Sequence, residues 1–149
     1  SLVIPESVRI FDGNSLFAGC ANLKSVTLPS YVSEINDNMF SGCSSLEELV
    51  LSSAIAKVGE SSFKGCEKLR EFDFESMIEI GNNAFEGTGI ESFKAPVNMT
   101  ELPKGIFRNC VKLKSLDLEG VRGLSDFSFY GCIALTEVTF PKTLGDIES

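Results

Sequence analysis

Short alternating stretches punctuate the chain: Val26 and Leu28, Leu49 and Leu51, Phe72 and Phe74, Phe93 and Ala95, Leu116 and Leu118, Val138 and Phe140 each bracket one intervening residue. A period of two puts both members of a pair on one face, so each stretch predicts a half-buried strand. Pro29, Pro96 and Pro141 follow three of these stretches and end them, since proline cannot donate to a ladder. A second apolar pair comes next, as in Val32 with Ile35 or Ile55 with Val58. A polar segment such as Asn36-Asp37-Asn38 or Gly81-Asn82-Asn83 then leads into Phe-x-Gly-Cys. That segment predicts a short helical or 3₁₀ turn.

The pattern repeats. Phe17, Phe40, Phe63, Phe85, Phe107 and Phe129 are separated by 23, 23, 22, 22 and 22 residues. Three residues after each stands Cys20, Cys43, Cys66, Thr88, Cys110 or Cys132, and six after stands Leu23, Leu46, Leu69, Leu113 or Leu135. The fourth unit is one residue shorter, at Gly87-Thr88-Gly89, and supplies Ile90. The first carries an extra residue around Ile10-Phe11-Asp12. No such unit can bury its apolar face alone, whereas stacked units cover one another and align their strands in one parallel sheet. The chain opens mid-pattern at Leu2-Val3-Ile4-Pro5 and stops at Leu144 and Ile147, where a seventh Phe is due. The expectation is one array over residues 1–149, about six units of 22–23 residues, uncapped and truncated at both ends.

The units from Phe17 to Pro29 and from Phe40 to Leu51 resemble the BspA-like class of leucine-rich repeats. The fold class expected is an α/β repeat solenoid: a leucine-rich-repeat arc with a parallel sheet on its concave face and short helical or 3₁₀ turns on its convex face. The resemblance implies a surface or secreted protein of bacterial or protozoan type that adheres to host matrix or to other cells. It implies an extracellular or cell-surface location, although no signal or anchor is visible in the chain. Thr88 and the shortened fourth unit depart from the pattern.

Charge and composition narrow the function. Thirteen basic and 21 acidic residues leave a net charge of −8, unsuited to gripping nucleic acid or an anionic membrane. There are no histidines, which removes Ser-His-Asp and Cys-His pairs and imidazole zinc sites. No apolar run approaches the length of a bilayer span. The expectation is therefore a non-catalytic protein-interaction module without a cofactor. One alternative is a structural spacer or assembly scaffold of stacked repeats. A remoter one is a carboxylate-based hydrolase, which needs two carboxylates at a fixed separation; no pair stands out in the sequence.

The five cysteines recur at the repeat period or its double, with no C-x-x-C pair. With the six phenylalanines they read as a structural spine: Phe17, Phe40, Phe63, Phe85, Phe107, Phe129, Cys20, Cys43, Cys66, Cys110 and Cys132. Free Cys packs as a small buried hydrophobe, and Thr88 fits a requirement for size; a disulfide between neighbouring coils is the alternative. Candidate binding residues are the outward ones on and beside the strands: Glu48, Val50, Glu71, Asp73, Glu75, Lys94, Asp117 and Glu137. They suit a basic protein partner, such as a host-matrix or cell-surface protein. They equally suit a solvated face whose charges prevent sheet aggregation, or a divalent cation. No metal ligand set is predicted. Asn98-Met99-Thr100 has the form of a glycosylation acceptor.

Overall fold

The computed structural model describes residues 1–9, 12–51 and 55–141. Ile10 and Phe11, where the first unit carries its extra residue, lie outside the described residues, as do Leu144 and Ile147. Alternation becomes parallel strand in five of the six units. β1 (Leu2–Val3), β2 (Ser25–Thr27) and β4 (Glu48–Val50) form one ladder, with Leu2 opposite Val26 and Val26 opposite Leu49. β7 (Ser92–Lys94), β9 (Ser115–Asp117) and β11 (Glu137–Thr139) form another, with Phe93, Leu116 and Val138 in register. The second apolar pair of each unit also builds strand. β3 (Glu34–Ile35), β5 (Lys57–Val58) and β6 (Glu79–Ile80) pair in parallel, as do β8 (Glu101–Leu102) and β10 (Gly123–Leu124). Consecutive coils are thus stitched along two sides into a parallel β-solenoid of leucine-rich-repeat type.

The third unit departs from expectation. Phe72 and Phe74 predict a strand, yet Glu71–Phe74 forms none, and the first ladder stops at β4 and resumes at β7. The two rings lie 5.1 Å apart. Phe72 packs edge-on to Phe63 and Phe85 at 5.3 and 5.0 Å, and Phe74 to Phe85 and Phe93 at 5.0 and 4.8 Å. Two rings need more interior than the aliphatic pairs of the first and second units. The fourth unit, one residue shorter, follows directly. Backbone that accommodates both leaves the pairing line. The second ladder is interrupted between β6 and β8 at the same level.

The Phe-x-Gly-Cys segments also differ from expectation, since there is no helix among the described residues. They are chains of hydrogen-bonded turns. Asn38 and Gly42 have φ of 54° and 76°, which a right-handed helix cannot contain. The amides of Asn38, Phe40 and Gly42 instead donate to the next coil, at the carbonyls of Glu60 (2.9 Å), Ser62 (2.8 Å) and Lys64 (2.7 Å). Intervening amides close local turns, Ser41 to Asn38 at 3.1 Å and Cys43 to Phe40 at 3.0 Å. The same alternation links the turns of Phe63, Phe85 and Phe107 to those that follow. A third side of each coil is therefore hydrogen-bonded, and the backbone finds partners 21 to 23 residues away rather than four. The motif glycine supplies the left-handed conformation this needs, at 68–79° in five units; Asn109, at 59°, stands in for it in the fifth.

Inside run the rings. Successive phenylalanines from Phe17 to Phe129 stack with centroids 5.5, 5.5, 5.3, 5.9 and 6.4 Å apart and planes within 25°. Phe40, Phe63, Phe85 and Phe107 are fully buried, while Phe17 and Phe129 are half-buried. All five cysteines are free thiols. Cys43, Cys66, Cys110 and Cys132 each donate a weak hydrogen bond to the Phe carbonyl one coil earlier, at 3.0–3.2 Å. Thr88 replaces that bond with one to its own coil, Oγ1 to the Phe85 carbonyl at 2.9 Å. Cys20 is exposed, contrary to the buried position expected of it.

Candidate interaction surface

The strand positions that point away from the ring stack form the broad polar surface on which the candidate residues lie. Glu48 and Val50 are exposed on β4, opposite Ser25 and Thr27. Lys94 is exposed on β7 and sits opposite the half-buried Asp117 of β9, while Glu137 of β11 is opposite Ser115. Glu71, Asp73 and Glu75 are exposed but lie on the unpaired backbone of the third unit. Asp73 accepts a hydrogen bond from the Glu75 amide at 2.9 Å, and Asp117 one from the Glu119 amide at 3.2 Å. The carboxylates of these two turns are thereby held outward.

The interruption of the ladder opens a cleft of about 370 Å³ between the third and fourth units. Asp73, Glu75 and Lys94 are brought together on it, over a floor that includes Phe72, Phe74, Ala95 and Pro96. A neighbouring cleft of about 560 Å³ holds Glu71 with Glu47, Lys68, Arg70 and Lys112. Glu48 and Glu137 line neither. The apolar floor was not foreseen in the sequence; its one signal is that Phe72 and Phe74 stand where the first and second units carry Val or Leu.

Charge is distributed unevenly around the coil. Some acids find lysines one coil away: on the second ladder Lys57 lies 3.8 and 3.6 Å from Glu34 and Glu79, and on the turns Lys64 lies 3.1 Å from Glu86. At the edge of the strand face, Lys68 lies 3.3 Å from Glu47 and Lys114 lies 2.6 Å from Glu91. The Lys114 hydrogen bond and charge hold the Glu91 carboxyl below its ordinary range. Among the described residues, Glu48, Glu71, Asp73, Glu75, Asp117 and Glu137 take part in no ion pair. Their charge is offset only in part, by Lys94 beside Asp73, Glu75 and Asp117 and by Arg70 and Lys112 near Glu71. Among the described residues no three His, Cys, Asp or Glu side chains stand close enough to hold a metal ion. No helix there is long and apolar enough to cross a membrane.

The fold recurs in known proteins. A leucine rich repeat protein of T. pallidum is 30% identical, with a TM-score of 0.77 over 91% of this chain and 67% of that one. A leucine-rich repeat protein from Bacteroides ovatus ATCC 8483 is 26% identical, with a TM-score of 0.72 over 94% of this chain. This chain spans 45% of that protein's length. A leucine rich cell surface protein from Faecalibacterium prausnitzii A2-165 shares the fold at a TM-score of 0.75 and 23% identity, over 93% of this chain and 47% of that one. No curated protein matches the chain. The BspA type leucine rich repeat region matches in six copies, over residues 1–114 and 101–149. With that match running the length of the repeat array, the chain belongs to the BspA type leucine-rich repeat family.

Proposed function

We propose that this chain is a non-catalytic protein-interaction module that binds a basic protein partner at a cell surface through its strand face. The observation that carries this reading is the set of carboxylates without an ion pair gathered on and beside the strand face, Glu48, Glu71, Asp73 and Glu75 above all, while Glu34, Glu47, Glu79, Glu86 and Glu91 are matched by lysines. A basic partner supplies cations to such a face and is steered in by its field. The cleft at Asp73, Glu75 and Lys94 adds an apolar floor for a side chain to enter. Leucine-rich repeat proteins are in general protein-interaction scaffolds, and one structural neighbour is named a cell surface protein. Both support the reading.

A blocked octapeptide of alternating Lys and Leu serves as the basic probe. Glu48→Lys, Glu71→Lys and Asp73→Lys combined should leave the fold intact, since exposed substitutions cost within about 0.5 kcal/mol each. The triple variant should slow association with the probe at least tenfold, and wild-type binding should fade as salt rises. Unchanged association in a folded triple variant refutes the reading.

A further inference from the structure

Where the first ladder is complete, the last apolar residue of one unit's strand stretch donates to the next unit. Leu28 donates to the Val50 carbonyl at 3.1 Å, Ala95 to that of Asp117 at 2.8 Å, and Leu118 to that of Thr139 at 2.9 Å. Phe74 holds the equivalent position in the third unit, and the equivalent acceptor is Lys94. That rung is missing: among the described residues the Phe74 amide finds no acceptor and the Lys94 carbonyl no donor. Successive residues of a strand turn their peptide groups to opposite sides. Ala95 faces β9, so the amide and carbonyl of Lys94 face the third unit. The cleft of about 370 Å³ lies at this gap.

The chemistry of the cleft narrows what can enter it. Phe74 is buried, while the half-buried Phe72 keeps part of its ring accessible in the floor. Asp73 and Glu75 stand on the rim with one ammonium, that of Lys94, and none of the three is in an ion pair among the described residues. The Glu75 amide, 2.9 Å from Asp73 Oδ1, holds that carboxylate in place. An aromatic surface, an excess of negative charge and a backbone carbonyl without a donor therefore meet in one place. An ammonium answers the charge, but it is compact and strongly hydrated and gains little from the ring. A guanidinium is planar and weakly hydrated, stacks on an aromatic face and carries five donors in a fork. It answers all three features together.

We infer that this cleft is the specificity pocket of the strand face and receives an arginine side chain carried on an extended segment of the partner. The guanidinium lies against Phe72 and donates to Asp73, Glu75 and the Lys94 carbonyl. A peptide carbonyl of the same segment accepts from the Phe74 amide, as main-chain groups do when an extended peptide docks at an open sheet edge. The inference rests on the reading of the strand face as a surface for a basic protein, and adds which basic residue is recognised and where. Glu48 and Glu137, which line neither cleft, then steer the partner without discriminating between cations.

Two blocked octapeptides of equal charge, one alternating Arg and Leu and one alternating Lys and Leu, test this. A field alone does not tell them apart, whereas the pocket should bind the arginine peptide at least about fivefold more tightly. Two double variants each replace two carboxylates by amides of the same shape: Asp73→Asn with Glu75→Gln in the cleft, and Glu48→Gln with Glu137→Gln outside it. All four positions are exposed, so both variants should fold as wild type does, which circular dichroism checks. The cleft pair should abolish the arginine preference and the outside pair should retain it. In wild type the amide resonances of Phe74 and Lys94 should shift saturably with the arginine peptide. The inference is overturned, with the strand-face reading left standing, if wild type binds the two peptides equally or if the Phe74 and Lys94 resonances do not move. An arginine preference that survives in the cleft variant, or is lost in the outside one, overturns it in the same way. If neither peptide binds wild type, both readings fall.

Discussion

Removing one ring from the middle of the stack should unfold more than its own coil. Phe63 has no exposed surface and lies between Phe40 at 5.5 Å and Phe85 at 5.3 Å, with Phe72 edge-on at 5.3 Å. Burying a Phe side chain contributes about 1.5–3 kcal/mol, and each aromatic pair adds about 0.5–1.5 kcal/mol. The rungs above and below are held by turn-to-turn hydrogen bonds, so the space left by Phe63→Ala cannot collapse. The expected cost is about 3–5 kcal/mol. Phe129 provides the internal control: it is half-buried with one ring neighbour, Phe107 at 6.4 Å. Phe129→Ala should cost about 1–2 kcal/mol. For a chain of this size 1 kcal/mol moves the thermal midpoint by about 2–4 °C, so the difference of about 1–4 kcal/mol should make Phe63→Ala melt about 2–16 °C below Phe129→Ala. Thermal and urea unfolding followed by far-ultraviolet circular dichroism measure both. If Phe63→Ala is no less stable than Phe129→Ala, neighbouring rings do not carry the stability assigned to them.

Two further outcomes follow from the same packing. Thiolate is the species that alkylates, and burial pushes the Cys43 and Cys132 thiols up to about 11 and those of Cys66 and Cys110 upward as well. At pH 8, iodoacetamide should therefore label exposed Cys20 first and leave native protein singly modified while unfolded protein takes five labels, with Cys43 and Cys132 speeding up as pH rises toward 10; several native labels by intact mass at pH 8 would sink this. Gly81→Ala places a Cβ 2.5 Å from the Glu60 amide nitrogen and 2.6 Å from the Gly59 carbonyl carbon, backbone that cannot step aside, and should cost about 1–3 kcal/mol. Gly120→Ala, whose nearest neighbour is 3.6 Å away, should stay within about 0.5 kcal/mol, and equal urea midpoints for the two would contradict the close coil contact.

The coil was legible because each unit restates it: Phe, Cys and Leu at fixed offsets reveal the stack, and Val26 with Leu28 reveals a strand. Other features depend on partners a coil away, which no local pattern encodes. Asn38 to Gly42 read as a helical turn because the segment is short and polar, and nothing in it says that its amides bond to Glu60, Ser62 and Lys64. The two-residue strands, such as Lys57–Val58, are too brief for a period to register. Phe72 and Phe74 satisfy alternation while violating it in volume, since a binary pattern does not weigh rings against aliphatic side chains. Among the candidate residues, exposure of Glu48 or Glu71 could be anticipated from the strand phase. That they lack the lysine partners of Glu34 and Glu91 is a property of three-dimensional neighbours.

The interruption beside Phe72 and Phe74 has a mechanical meaning. Between the third and fourth units neither strand ladder crosses, while the turns remain joined by the amides of Ser61, Phe63 and Gly65 donating to Asn82, Ala84 and Glu86 at 2.7–2.9 Å. Tension along the solenoid axis loads the hydrogen bonds of each coil boundary in turn, and this boundary keeps its turn bonds and one long strand-side bond, Glu91 amide to Arg70 carbonyl at 3.4 Å, where the boundary of the first and second units and that of the fourth and fifth are fastened at three sides. It is the compliant joint of the array: pulled, the two halves would part there first on the strand side, swinging about the turn side like covers about a spine. Under tension the array would absorb its first extension at that joint, and the cleft that holds Asp73, Glu75 and Lys94 would widen with it.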